Sequence, residues 1–200
     1  VPGKDFGMNI ANSGDFADLG RAGWVGSTTA LIGEVSQWYD RSFDPSWPDW
    51  AIDGQHPLVT AAADQITASL PANQQQNVFA FAHAAFEYVR ENVQYSVGLA
   101  NPPRSGPTCL AHELGDCDEQ ANAWMSILRA RNIPTWYEFG ALTDMDHTKW
   151  EPHAWSNVLI PYDSAWCAAK EIRLETCYIE ASVDVVNNKW MLHTPTAFTE

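Results

Sequence analysis

Apolar positions recur at helical spacing in three stretches of the chain. In residues 57–70, Val59, Ala62, Ala63, Ile66 and Leu70 share one face, with Pro57 at the entrance and Pro71 just beyond the end. In residues 75–93 the stripe is Val78, Phe79, Ala82, Phe86, Val89 and Val93, and aromatic residues at that spacing read as core. In residues 117–131, Ala121, Trp124 and Leu128 fall on a face headed by Cys117. After Pro134 the period changes from 3.6 to 2. Strands are expected at 135–139, 154–160, 177–181 and 189–192. Helices followed by strands predict an α+β domain, with the 117–131 helix packed on an antiparallel sheet. Residues 99–106, with Pro102 and Pro103, read as a loop. Residues 1–55 are rich in Gly, Asp, Ser and Trp and periodic only near 28–39. They read as an arm packed on a domain of residues 56–200, with a sharper alternative in which their Trp side chains line a substrate groove.

The 117–131 helix has a marked start and a marked stop. Asp116 suits the N-cap, where its carboxylate accepts from backbone N–H groups of the first turn, and Glu119 completes a capping-box pattern. Arg129 and Arg131 suit the negative C-terminal end, and Asn132-Ile133-Pro134 stops the helix. Cys117 then occupies the first helical position, where N–H groups and the helix dipole favour thiolate over thiol. A nucleophile there needs a base and an acceptor that orients the base. His153 opens a strand of the sheet expected to lie against the helix, so it is the first candidate. His56 stands at a helix entrance, His83 is mid-helix, and His112 and His147 fall in loop-like stretches.

Composition narrows the field. The 200 residues carry 11 Lys and Arg against 25 Asp and Glu, for a net charge of -14. A field of that sign repels nucleic acid and anionic membranes, so neither is expected as a partner. No apolar run approaches the ~20 residues that span a bilayer. High Trp content with little Lys points to an extracellular or cell-surface setting. The four cysteines, at 109, 117, 167 and 177, lack metal-ligand spacing. Cys167 and Cys177 flank a short segment that a disulfide would staple, for roughly 2–3 kcal/mol. Cys109 either stays free or pairs with Cys117, which would silence the thiol. The acidity and the Asp-rich loop at 144–146 make calcium worth testing, although no contiguous calcium-loop spacing is present; no other cofactor is implied.

Several segments together resemble the transglutaminase-like cysteine protease superfamily. They are Phe86-Glu87-Tyr88-Val89-Arg90-Glu91-Asn92-Val93-Gln94-Tyr95, Gly115-Asp116-Cys117-Asp118-Glu119-Gln120-Ala121, Leu128 to Thr135, and His153-Ala154-Trp155. Each is short, but their order and spacing are specific. The likeness is strong over 86–160, loose over 57–195 and absent from the first 55 residues. It implies a papain-like, transglutaminase-like core with Cys117 as nucleophile, His153 as general base and acid, and a carboxylate on the next strand. That third residue is normally Asp. Here Tyr178-Ile179-Glu180-Ala181-Ser182 is the best match, with Glu180 in its place, and Asp163 and Asp184 are the substitutes.

The implied chemistry is acyl transfer at a peptide or isopeptide amide, with a protein or peptide as substrate. Water at the second step makes a peptidase or amidase, the leading expectation; an amine makes a crosslinking transglutaminase. A non-catalytic binding module with an oxidised Cys117 is the third reading. Asp116 and Asp118 flank the nucleophile and oppose a thiolate, so the ion pair with His153 has to outweigh them.

Overall fold

The computed structural model describes residues 32–35, 51–98, 104–143, 148–161, 168–169, 171–173 and 178–191. Five helices precede a sheet within these residues. They are α1 (Ile32–Val35), α2 (Pro57–Ser69), α3 (Val78–Asn92), α4 (Gly106–His112) and α5 (Cys117–Arg129). Two short strands, β1 (Gln94–Tyr95) and β2 (Leu114–Gly115), pair in parallel beside them. The strands β3 (Thr135–Thr143), β4 (Trp150–Pro161), β5 (Tyr178–Asp184) and β6 (Lys189–Met191) form an antiparallel meander in that order. This is the α+β architecture the pattern predicts, and α5 lies at its centre, packed on β3 and β4 and against α2, α3 and α4.

The apolar stripes become the core. Val59, Ala62, Ala63 and Ile66 of α2 are buried, as are Val78, Phe79, Ala82, Phe86 and Val89 of α3. Phe81 and Ala85 are buried too, so α3 hides more than one face. Side chains cap both helices. His56 Nδ1 accepts from Leu58 N at 3.2 Å, and Asn77 Oδ1 accepts from Ala80 N at 2.9 Å. Helix α5 is nearly surrounded, and its Trp124, fully buried, donates from Nε1 to Ala82 O at 3.2 Å.

The sequence pattern places Arg129 and Arg131 at the end of α5, and the fold uses them as ties. Arg129, the last residue of the helix, reaches Thr135 O at 2.9 Å and fastens the helix to the start of β3. Arg131 donates to Asp64 at 2.7 Å and lies over the Phe81 ring at 5.6 Å. Asn132, with φ +53, lies in the turn between α5 and β3.

Most of residues 1–50 lie outside the described residues. What is described there contacts the domain. Ile32 is buried and its N–H donates to Gln76 O at 2.8 Å, while Gly106 N donates to Ala51 O at 2.9 Å.

Helix α4 begins where the expected 99–106 loop ends. It starts at Ser105, whose hydroxyl accepts from Thr108 N, and Pro107 suits its first turn. It packs so closely on α5 that a Cβ on Gly106 would sit 2.4 Å from both Asn122 O and Ser126 Oγ. Backbone atoms of α5 cannot retreat from that contact. Gly106→Ala should therefore lower the unfolding free energy by about 1–3 kcal/mol. Urea melts would read this as a lower midpoint at unchanged slope, and a wild-type midpoint would refute the close packing of α4 on α5.

Candidate active site

The turn that carries Cys117 is built by the chain on both sides of it. Helix α4 ends at Glu113, whose φ of +56 swings the chain into β2. Gln94 N donates to Glu113 O at 2.8 Å and Ser96 N to Gly115 O at 3.1 Å, which pins β2 against β1. Gly115 has to be glycine, since a Cβ there would lie 2.8 Å from Cys109 Sγ and 2.9 Å from Glu119 Cβ. The capping box expected from the sequence is formed. Asp116 Oδ1 accepts from Asp118 N at 3.2 Å, and Glu119 Oε2 accepts from Asp116 N at 2.8 Å. The other oxygen of Glu119 accepts from Arg104 N at 3.1 Å, and Gln120 Nε2 donates to Gly115 O at 3.1 Å. Cys117 stands half-buried at the first helical position of α5.

His153 comes to this turn from β4. Its Nε2 lies 2.6 Å from Asp184 Oδ2 at the end of β5. An ionised carboxylate only accepts, so Nε2 carries the proton of that bond, and Nδ1 is the ring nitrogen left for Cys117. The imidazole is buried and stacks on Trp155 at 6.1 Å between centroids. Burial alone would push its pKa down. Hydrogen bonds to Asp184 and to Cys117, with the negative charges of both, outweigh that and lift it to about 9.

The carboxylate that meets His153 is Asp184, and the expected Glu180 is placed away from the imidazole. Backbone pairing sets Glu180 opposite Leu159, six residues along β4 from His153, or about 20 Å at the strand rise. The family likeness points to Glu180 through the segment Tyr178 to Ser182, and residues two apart on a strand share a face. Glu180 and Asp184 therefore read alike by alternation, and the strand continues past its expected end at 181 to Asp184. Asp163 lies outside the described residues.

Two further contributors carry no sequence signal. Asn187, in the turn after β5, donates from Nδ2 to Asp184 Oδ2 at 2.8 Å and from its backbone N to Oδ1 at 3.2 Å, so it holds both oxygens of the acid. Tyr137 of β3 reaches Asp118 Oδ1 at 2.5 Å.

The remaining histidines that are described have other partners. His56 caps α2, His83 lies 3.8 Å from Glu87, and His112 bonds Arg104 at 2.9 Å. Cys109 and Cys117 are both free thiols, so the pairing that would silence Cys117 is not made. Burial and the Glu119 charge push Cys109 up to about 12, against the pull of Arg104, which leaves it an inert thiol. Cys167 and Cys177 lie outside the described residues.

Negative charge crowds the site. Burial, a hydrogen bond with Glu119 and the charges of Glu119 and Asp118 push Asp116 up to about 6. Tyr95, exposed at the rim, is pushed up by partial burial and by the charges of Cys117, Asp116, Glu151 and Asp184. One donor atom each from Asp116, Cys117 and Asp118 lie within 4.8 Å of one another. Both carboxylates already hold hydrogen bonds, and the loop at 144–146 that makes calcium worth testing lies outside the described residues. Among the described residues, no helix is long and apolar enough to cross a membrane.

Comparison with known proteins identifies the family and the fold. Residues 61–170, more than half of the chain, match the sequence model of the transglutaminase-like superfamily, a span that includes Cys117 and His153. The fold is similar to the crystal structure of a candidate cysteine protease from Cytophaga hutchinsonii, with a TM-score of 0.51 at 16% identity. That match covers 78% of this chain and 49% of the other, so the chain spans about half the length of its structural relative. At such identity the likeness is one of fold. No match was found among curated proteins.

The raised His153 gives a stability signature. A fold that raises a pKa gains stability that is complete below the unfolded value, near 6.5, and lost as pH rises through about 9. The decline from Asp116 falls lower, between 3.8 and about 6, so the two windows separate. Thermal melts from pH 6 to 10 should show the midpoint dropping across the upper window, and Asp184→Asn should shrink the drop. A midpoint flat through that window in the wild type would contradict the His153–Asp184 pair.

Proposed function

The chain belongs to the transglutaminase-like superfamily, and from that premise we propose that it hydrolyses a peptide or isopeptide amide through Cys117, His153 and Asp184. Membership itself supports an enzyme with cysteine-based catalysis; the reaction and the roles of the three residues are our reading. One observation carries it. A single buried imidazole is hydrogen-bonded to the acid that ends β5, and its pKa is raised by that acid and by the cysteine that heads α5.

In the first step the Cys117 sulfur, its proton already held by His153 as imidazolium, attacks the amide carbonyl. The tetrahedral oxyanion forms beside the start of α5. There the Cys117 N–H belongs to the first turn, whose N–H groups have no partner within the helix, and it is the natural donor. His153 then gives its proton to the departing amine as the C–N bond breaks, leaving a thioester on Cys117. Water, losing a proton to His153, attacks the thioester and releases the carboxylic acid and the free thiol. Asp184 stays ionised throughout. It fixes the imidazole tautomer and stabilises the imidazolium. An amine in place of water would make the same intermediate a crosslinking one.

A peptide-amide substrate panel, assayed with and without added primary amine, tests the reading. Cys117→Ala and His153→Ala should abolish turnover. Asp184→Asn should lower kcat by ~10²-fold or more, in the range of groups that govern proton transfer. Glu180→Gln should stay near wild type. Wild-type rates should fall above about pH 9 as His153 loses its proton, and the fall should begin at lower pH in Asp184→Asn. Turnover that survives Cys117→Ala would end the proposal. Product found only when amine is present would replace hydrolysis with transfer.

A further inference from the structure

Cys117 lies within reach of two proton acceptors, and only one of them is useful. His153 is the first. The second is Asp118, whose Oδ1 is 3.8 Å from Cys117 Sγ. That oxygen works against a nucleophile twice over. It can hold the thiol proton in an S–H···O bond, and its charge repels a thiolate. Helix capping does not require this carboxylate, because Asp116 and Glu119 already form the capping box. The same Oδ1 accepts the Tyr137 hydroxyl at 2.5 Å, a far closer contact than the thiol makes.

Tyr137 is well placed to keep that bond. Its backbone pairs with Ser156 inside the β3–β4 ladder, and β3 packs against α5. A phenol has one proton to donate, and here Asp118 receives it. Burial, the hydrogen bond to Asp118 and the nearby negative charges push the phenol's pKa up, so it remains a donor over the whole working range.

We propose that Tyr137 is a positioning residue for Cys117: by donating to Asp118 Oδ1 it occupies and partly neutralises the acceptor that competes with His153 for the thiol proton. The Asp118–Tyr137 pair thus steers the proton toward the imidazole. This rests on the reading of Cys117 as the nucleophile.

The test is iodoacetamide labelling of the intact protein at pH 7, with Cys117 and Cys109 followed separately by peptide mass spectrometry. Tyr137→Phe should slow Cys117 labelling by about tenfold, the factor carried by one hydrogen bond to a charged group. Asp118→Asn should label at least as fast as wild type. In the Asp118→Asn background, adding Tyr137→Phe should change little, because the charge it controls is gone. Cys109 should stay unlabelled in every variant, which separates this effect from a general loosening of the fold. Fast wild-type labelling that Tyr137→Phe leaves unchanged, or a double variant as slow as Tyr137→Phe alone, would overturn the role of Tyr137 and leave the nucleophile intact. Equal labelling of the wild type and His153→Ala would sink the nucleophile reading and the Tyr137 role with it.

Discussion

The buried carboxylate of Glu119 holds the turn on which everything else depends. It is 1% exposed, and a carboxylate so deep is costly unless its oxygens are satisfied. Both oxygens are, by backbone N–H groups from opposite directions: Asp116 just before Cys117 and Arg104 at the entrance of α4. One side chain therefore fixes the helix start and the segment that approaches it. Burial, aided by the same charge, keeps Cys109 a thiol, and that charge also helps to raise Asp116. Of the two cysteines among the described residues, only the one at the helix start is left with a base beside it.

Electrostatics then becomes a question of balance among acids. Asp116, Asp118 and Asp184 all lie near Cys117, each with a different partner. Asp116 is turned into the helix start as its cap, Asp118 is tied to Tyr137, and Asp184 faces the imidazole. Only the last directs its charge at a group that benefits from it. An imidazole buried among neutral groups would lose its proton readily; this one keeps it, because the favourable hydrogen bonds exceed the cost of burial. The acidic residues that look hostile to a thiolate in the sequence are, in the fold, mostly engaged elsewhere.

What the sequence reveals follows from what is local. Helix α5, its capping box and its stop are legible because each signal lies within one or two turns of chain. The apolar stripes of α2 and α3 are legible because burial imposes the helical period. The pair β1–β2 is not, since each strand has two residues and exists only through the partner. Helix α4 is masked by the proline-rich run before it, although Ser105 and Pro107 are good starting residues. Glu180 is preferred to Asp184 because the family likeness falls on Tyr178 to Ser182, and a short motif does not locate which acid of a strand meets a residue on its neighbour.

Two local motifs frame the site, and they are built alike. At the start of α5, Asp116 is followed three residues later by Glu119, which takes its backbone N–H. At the end of β5, Asp184 is followed three residues later by Asn187, which donates to both of its oxygens, in a turn closed by Asn188 N to Val185 O at 3.2 Å. In each case a short segment orients an aspartate before any distant contact is made. The sheet meander then has only to bring two prepared ends together, and the β3–β4–β5 register does so. The contacts that join them, Cys117 with His153 and Asp118 with Tyr137, cross from helix to sheet. No spacing along the chain encodes such contacts, which is why the nucleophile and base can be nominated from sequence while the residues that tune them cannot.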